Sequence, residues 1–317
     1  MLTFRNAAAL VALCVASVTA SARLSGAGAP TPSGQATTRT VYASVTEKSG
    51  TPVLDMTPAD FEVKDGGKTQ EITGVRLATA PLRIAMLIAD RGTGQFQAST
   101  LRFVEAVLAH GEVSITGIIM QPERAADYTS NVDAIRAGLM RIGRRGQTRP
   151  GAQLVETIMD TAKEIRKPGT RPVIIVMRSG GEATTPVRAE AVREEIRKSG
   201  AILYTVSTTG TQSVRASGAT NSMDSYAASQ ANAASDAAEG AMTLATIIGD
   251  GAKDSGGRHE QSIAITLVPT MQQIAAELVN QYEITYALPA GTKPSDRLSV
   301  TSRRKGLTVL APSHIAN

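Results

Sequence analysis

The sequence predicts an α/β protein, an open and mostly parallel sheet flanked by helices, with a small accessory β unit. Three observations carry that expectation. Almost wholly apolar runs recur, Ile84-Ala85-Met86-Leu87-Ile88-Ala89, Val173-Ile174-Ile175-Val176-Met177 and Ala201-Ile202-Leu203-Tyr204-Thr205-Val206, as strands covered on both faces require. Between them apolar residues return at helical spacing: Leu101, Val104 and Leu108; Val132, Ile135, Leu139 and Ile142; Leu154, Ile158, Ala162 and Ile165. Outside this middle stretch, short alternating runs are broken by Gly, Pro and Asp, the pattern of antiparallel strands.

Taken in order, residues 1–22 carry Arg5, then an apolar run over 7–16, then Ala20-Ser21-Ala22 as a small-residue cleavage site. Such a run is shorter than the ~20 residues that span a bilayer, so the segment predicts a secretory signal peptide and a secreted or periplasmic location. Cys14 lies within it and is the only cysteine, which would leave the mature chain without disulfides or thiolate chemistry. No later run is long enough to cross a membrane. Residues 23–37 are rich in Gly, Ala, Pro, Ser and Thr and read as a flexible leader. The N-terminal β unit follows over 38–80. Val41, Ala43 and Val45 alternate there, Ser49-Gly50-Thr51-Pro52 makes a turn, and Phe61-Glu62-Val63 runs into Asp65-Gly66-Gly67. The α/β core is expected over 81–209. Over 210–237 small and polar residues displace nearly every large apolar one, which predicts a mobile insertion, helical in part where alanine accumulates. The remainder, 238–317, supplies a helix bearing Met271, Ile274 and Leu278 and further strands that complete the core and the β unit.

Composition narrows the function. The net charge is +5 with both signs interspersed, and four Phe, six Tyr and no Trp leave little to stack on bases. Arg141, Arg144, Arg145 and Arg149 cluster without aromatic neighbours and read as a solvated loop, so nucleic acid is not an expected partner. Catalysis has no visible machinery. There is no G-x-S-x-G elbow, and His259-Glu260 lacks the second histidine of a zinc-binding H-E-x-x-H; His110 and His314 are the other two histidines. Gly92-Thr93-Gly94 is two-thirds of a dinucleotide fingerprint, but Gln97 stands at the third glycine position and Glu123 lies too far along to bind a ribose. A non-enzymatic binding module is therefore expected. The alternatives are an envelope scaffold that packs through its β unit and a nucleotide-binding enzyme of Rossmann type.

Ser49-Gly50-Thr51-Pro52-Val53-Leu54 with Asp60-Phe61-Glu62-Val63-Lys64-Asp65-Gly66, then Gly256-Gly257-Arg258, then Gln281-Tyr282-Glu283-Ile284-Thr285-Tyr286 and Lys305-Gly306-Leu307-Thr308-Val309 stand in a fixed order around the α/β core. In these residues the chain resembles the bacterial secreted von Willebrand factor A (VWA)-related family over about 38–312, the 210–237 insertion apart. The resemblance implies a VWA-like core and another protein, outside the cytoplasm, as partner. It also implies a divalent-cation adhesion site at the carboxyl rim, built on a D-x-S-x-S loop, a threonine and a further aspartate.

Read position by position, the site is degenerate. Asp90 and Thr148 remain as ligand positions, Gly92 and Gly94 replace both serines, and Ser179 with Arg178 alongside replaces the last aspartate. Lost oxygen ligands and added guanidinium groups, Arg91 and Arg178, argue against bound Mg²⁺, although Glu182 offers a substitute oxygen ligand. No cofactor is therefore expected. The rim expected to meet the partner comprises Asp90, Arg91, Thr93, Thr148, Arg178, Ser179 and Glu182. For Asp90 an equally open reading is a plain structural cap of its turn.

Overall fold

The computed structural model describes residues 37–90, 92–118, 121–143, 153–180, 185–208 and 225–315. The segments expected as signal peptide and leader lie outside the described residues, Thr37 apart, as do residues 210–224 of the expected insertion.

The α/β core is a six-stranded sheet in the order β6-β5-β4-β7-β8-β9. Its strands are β4 (Leu82–Ala89), β5 (Gly111–Ile118), β6 (Pro122–Thr129), β7 (Arg171–Ser179), β8 (Ile202–Thr208) and β9 (His259–Ser262). All pairs are parallel except β5 with β6. Only residues 119–121 join that pair, too few for the crossover a parallel neighbour needs. β6 and β9 were not foreseen in the sequence, because Pro122–Thr129 and His259–Ser262 carry mostly small or polar side chains.

The apolar strands divide their side chains between two cores. Leu82, Ile84, Met86 and Ile88 of β4 face a cluster that includes Val173, Ile175 and Met177 of β7. That side is covered by helices α1 (Gln97–Val107) and α2 (Val132–Gly143) and by a later helix carrying Met271, Ile274 and Leu278. Ala85, Leu87, Ile174 and Val176 point the other way, onto Leu154 and Ile158 of α3 (Leu154–Glu164) and Val192 and Ile196 of α4 (Ala189–Ser199). Each fully buried Ile or Leu stabilises by roughly 1.5–3 kcal/mol, and slipping a strand by one residue would exchange the two faces.

Helix α5 (Ser225–Thr246) takes up the alanine-rich part of the expected insertion, where helix in part was expected, and runs beyond it. It continues through a π-helical turn at Ile247–Gly251. Alanine carries the lowest cost of any residue in a helix. Leu244, Ile247 and Ile248 then anchor its end in the second core.

The β unit is built from both ends of the chain. β1 (Thr37–Glu47), β2 (Phe61–Asp65) and β3 (Lys68–Leu77) precede the core. Helix α6 (Leu267–Val279) then leads back to β10 (Tyr282–Leu288), β11 (Leu298–Ser302) and β12 (Leu307–Leu310). The antiparallel order is β11-β2-β3-β10-β1-β12. The family-like motifs hold these halves together. Phe61 meets the Tyr282 ring edge-on, with centroids 5.7 Å apart. Asp65 accepts from the Tyr286 hydroxyl at 3.0 Å, from Arg39 Nη1 at 2.8 Å and from the Ser295 N–H at 2.9 Å. The sheet also curls on itself: Leu298 N–H donates to the Ser313 carbonyl at 2.8 Å and Ile315 N–H to that of Asp296 at 3.0 Å. His314 therefore sits in a β-bridge with Arg297.

Candidate functional site at the carboxyl rim

The chain leaves β4 for β5 on one side and returns through β7 on the other, so the strand order reverses between β4 and β7. Ligands of open α/β sheets bind outside the carboxyl ends of the strands at such a reversal. Two expected site residues lie there. Ala89 pairs with Arg178 in the parallel register, which sets Asp90 level with Ser179. Ser179 in turn pairs with Thr208 of β8, and Thr208 with Ser262 of β9. Four strand ends thus present a row of polar side chains, Asp90, Ser179, Thr208 and Ser262, all buried.

Asp90 faces inward onto its own loop. Its Oδ1 accepts from the Thr93 hydroxyl at 2.7 Å and the Thr93 N–H at 3.3 Å, and its Oδ2 accepts from the Gly94 N–H at 2.7 Å. The loop can fold back this way because Gly92 and Gly94 have φ of 79° and 71°, a region that disfavours any residue with a Cβ. The same geometry favours glycine at positions 92 and 94. A crevice beside Asp90, lined by Ile88, Phe96 and Leu139 among others, holds about 10 Å³, room for no more than a water molecule.

The structure brings together Asp90, Thr93 and Ser179. Ser179 Oγ lies 3.5 Å from the Ala89 carbonyl, a long contact. Arg178, half-buried, points its field at His259 and helps to lower that imidazole's pKa, though burial is the larger cause. His259 Nδ1 lies 2.8 Å from Thr205 Oγ1. Arg91, Thr148 and Glu182 lie outside the described residues, and so do Arg144, Arg145 and Arg149. Arg141 donates to the Ala125 carbonyl. Among the described residues no group of three or more His, Cys, Asp or Glu side chains is arranged to hold a metal ion.

Sequence reasoning missed the other half of the rim. After β9 the chain makes a tight turn: Ser262 Oγ lies 2.8 Å from Thr266 Oγ1, the Ile263 N–H donates to Thr266 Oγ1 at 3.1 Å, and the Thr266 N–H returns to the Ile263 carbonyl at 3.0 Å. This turn holds Ile263 and Ile265 at 55% and 85% exposure. Ser262-Ile263-Ala264-Ile265-Thr266 contained the signal, an alternation of apolar residues, but without β9 nothing placed it on the rim.

No family model matches the chain, and no curated protein matches it. Among solved structures it is similar to the vWF domain of the type V pili tip protein Mfa5 from Porphyromonas gingivalis, at 12% identity over 63% of this chain and 96% of that one, with a TM-score of 0.43. It is similar also to the conserved hypothetical protein BatB from Bacteroides thetaiotaomicron, at 14% identity over 62% and 97%, with a TM-score of 0.38. A third likeness is to proximal thread matrix protein 1 from the mussel byssus with a zinc-occupied MIDAS motif, at 12% identity and a TM-score of 0.42. It covers 69% of this chain and 50% of that one, so this chain spans about half the mussel protein's length. These three TM-scores lie below 0.5, and the α/β fold is read from the strand order and register described above.

Proposed function

We propose that the chain is an exported, VWA-like binding module of the bacterial secreted VWA-related kind, which recognises another protein through its carboxyl rim and performs no covalent chemistry. The observation that carries this reading is the Ile263–Ile265 turn. Two large aliphatic side chains are held out in water by a hydrogen-bonded turn on the same carboxyl rim, at its β9 edge, two strands from the reversal between β4 and β7. Burying each against a partner would contribute roughly 1.5–3 kcal/mol, and the turn's rigidity lowers the ordering cost.

The adhesion site in this reading is degenerate and takes no cation. Asp90 already accepts three hydrogen bonds from its loop, and both serine positions are glycines in a left-handed conformation. No helix among the described residues is long and apolar enough to cross a membrane. An extracytoplasmic location rests on the signal-peptide pattern of residues 1–22.

The test compares wild type with Ile263→Ser/Ile265→Ser. A partner retained by the wild type from the native envelope is identified, purified and titrated against both proteins. Affinity should fall at least roughly tenfold in the variant, the equivalent of about 1.4 kcal/mol, with the melting temperature unchanged. Equal affinity for the two proteins would remove the rim from the interaction.

A further inference from the structure

A cavity of about 470 Å³ opens at the far edge of the parallel sheet from the rim, where the amino ends of β7 and β8 meet β1 of the β unit. That size matches small-molecule sites, which run from roughly 300 to 1,000 Å³. The wall carries Arg166, Lys167, Arg171, Arg193, Arg197 and Lys198 against two carboxylates, Glu190 and Asp254.

Some of these cations have a structural explanation. Arg197 and Lys198 occupy the last turn of α4, where positive charge offsets the helix dipole. Arg197 pairs with Glu194, Lys198 with Glu195 at 2.9 Å and Lys167 with Glu112 at 3.3 Å. Three arginines are left incompletely accounted for. Arg171 is 2% exposed, yet its hydrogen bonds all go to neutral oxygens: Nε to the Ala80 carbonyl at 2.7 Å, and Nη1 to the Leu278 carbonyl and Gln281 Oε1, each at 2.9 Å. Glu283, whose field reaches Arg171, is ion-paired to Arg76 at 2.7 Å. A buried guanidinium that lacks its own carboxylate is costly. Arg193 pairs with Glu190 and Asp254, but its Nε is buried with no acceptor. Arg166 has no ion-pair partner among the described residues.

The two serine hydroxyls of the wall are satisfied locally. Ser199 Oγ donates to the Ile196 carbonyl at 2.7 Å and accepts the Ala201 N–H at 3.1 Å. Ser255 Oγ donates to the Ala252 carbonyl at 2.8 Å and accepts the Leu203 N–H at 2.8 Å. Cations outnumber carboxylates on the wall, which favours an acceptor-rich anion over a neutral ligand.

We propose that this cleft binds a small, multiply charged oxyanion of the phosphate-ester or polyphosphate class, with Arg166, Arg171 and Arg193 supplying the positive charge. The site is separate from the rim and does not depend on its role.

Inorganic pyrophosphate, titrated calorimetrically into the full chain at low ionic strength, is the probe. The expected result is saturable binding with a Kd of about 1 mM or tighter, weakened by added salt. Arg166→Gln, an exposed substitution, should raise Kd by roughly threefold or more, and Arg193→Gln by roughly tenfold, with charge-conserving Arg193→Lys recovering part of the loss. Ile263→Ser/Ile265→Ser at the rim should leave Kd unchanged. If Arg193→Gln does not fold, Arg166→Gln and Arg193→Lys still decide. The proposal is overturned if wild type shows no saturable binding, or if Kd is the same in wild type and the Arg166 and Arg193 variants.

Discussion

Arg258 grips Glu277 with two hydrogen bonds, Nη2 to Oε1 at 2.9 Å and Nε to Oε2 at 3.2 Å, and the Glu277 side chain is 1% exposed. Arg258 stands just before β9 and Glu277 near the end of α6, whose backbone carbonyl at Glu277 also accepts from Ser44 of β1 at 3.1 Å. One ion pair thus ties the last strand of the α/β core to the helix that leads back into the β unit.

Removing one partner of this pair leaves a charge in the interior. Arg258→Ala should destabilise the protein by about 3–5 kcal/mol, measured by urea unfolding. Replacing both, as Arg258→Met/Glu277→Leu, should recover most of that loss, because two well-packed apolar groups avoid the desolvation cost. A loss below about 1 kcal/mol in the single variant would mean that the pair behaves as a solvated surface bridge.

Asp90 anchors its own loop, and the expected effects follow from its three hydrogen bonds. Asp90→Ala should cost about 1.5–3 kcal/mol, with Asp90→Asn milder because one acceptor oxygen remains. Chemical denaturation of the three proteins checks this. An Asp90→Ala variant as stable as wild type would show that the carboxylate does not hold the loop.

A serine at position 94 should not create a cation site. Gly94 has φ of 71°, so Gly94→Ser should destabilise by roughly 1–2 kcal/mol through backbone strain. Neither wild type nor Gly94→Ser should gain thermal stability from added Mg²⁺, since Asp90 remains committed to Thr93 and position 92 remains glycine. A Mg²⁺-dependent rise in melting temperature would contradict the degenerate-site reading.

Burial, and then the field of Arg178, lowers the His259 pKa below its usual value near 6.5. Between the lowered value and about 6.5 the unfolded chain binds the extra proton while the folded one does not. Stability therefore falls as pH drops through that window and is fully present above it. Melting temperatures followed from neutral to mildly acidic pH should show that decline, and His259→Gln should flatten it. An identical pH profile in the variant would assign the decline to other groups.

Much of the architecture was legible because buried parallel strands need continuous apolar runs. β4, β7 and β8 announced themselves through that requirement, and α1 to α3 through their apolar stripes. β6 and β9 did not. An edge strand is covered by little, so Ala125 and Ala126 suffice in β6, and β9 contributes a single buried residue, Ser262. Alanine enrichment hinted at α5, but its full extent was set by Leu244, Ile247 and Ile248 reaching the second core.

At the rim, sequence reasoning located Asp90 and Ser179 at the ends of the right strands. It left open whether Asp90 faces a ligand or its own turn, since both readings place an aspartate before glycines. Nor could it see that Ser262 joins the same row, or that the turn after it exposes two isoleucines.

By itself, then, the sequence determined which segments are covered on both faces, because burial demands apolar residues that composition and period reveal. Only the tertiary structure decided which way each polar side chain turns and which distant segments share an edge. Those outcomes depend on strand register and on the backbone angles at Gly92 and Gly94, and no local pattern encodes either.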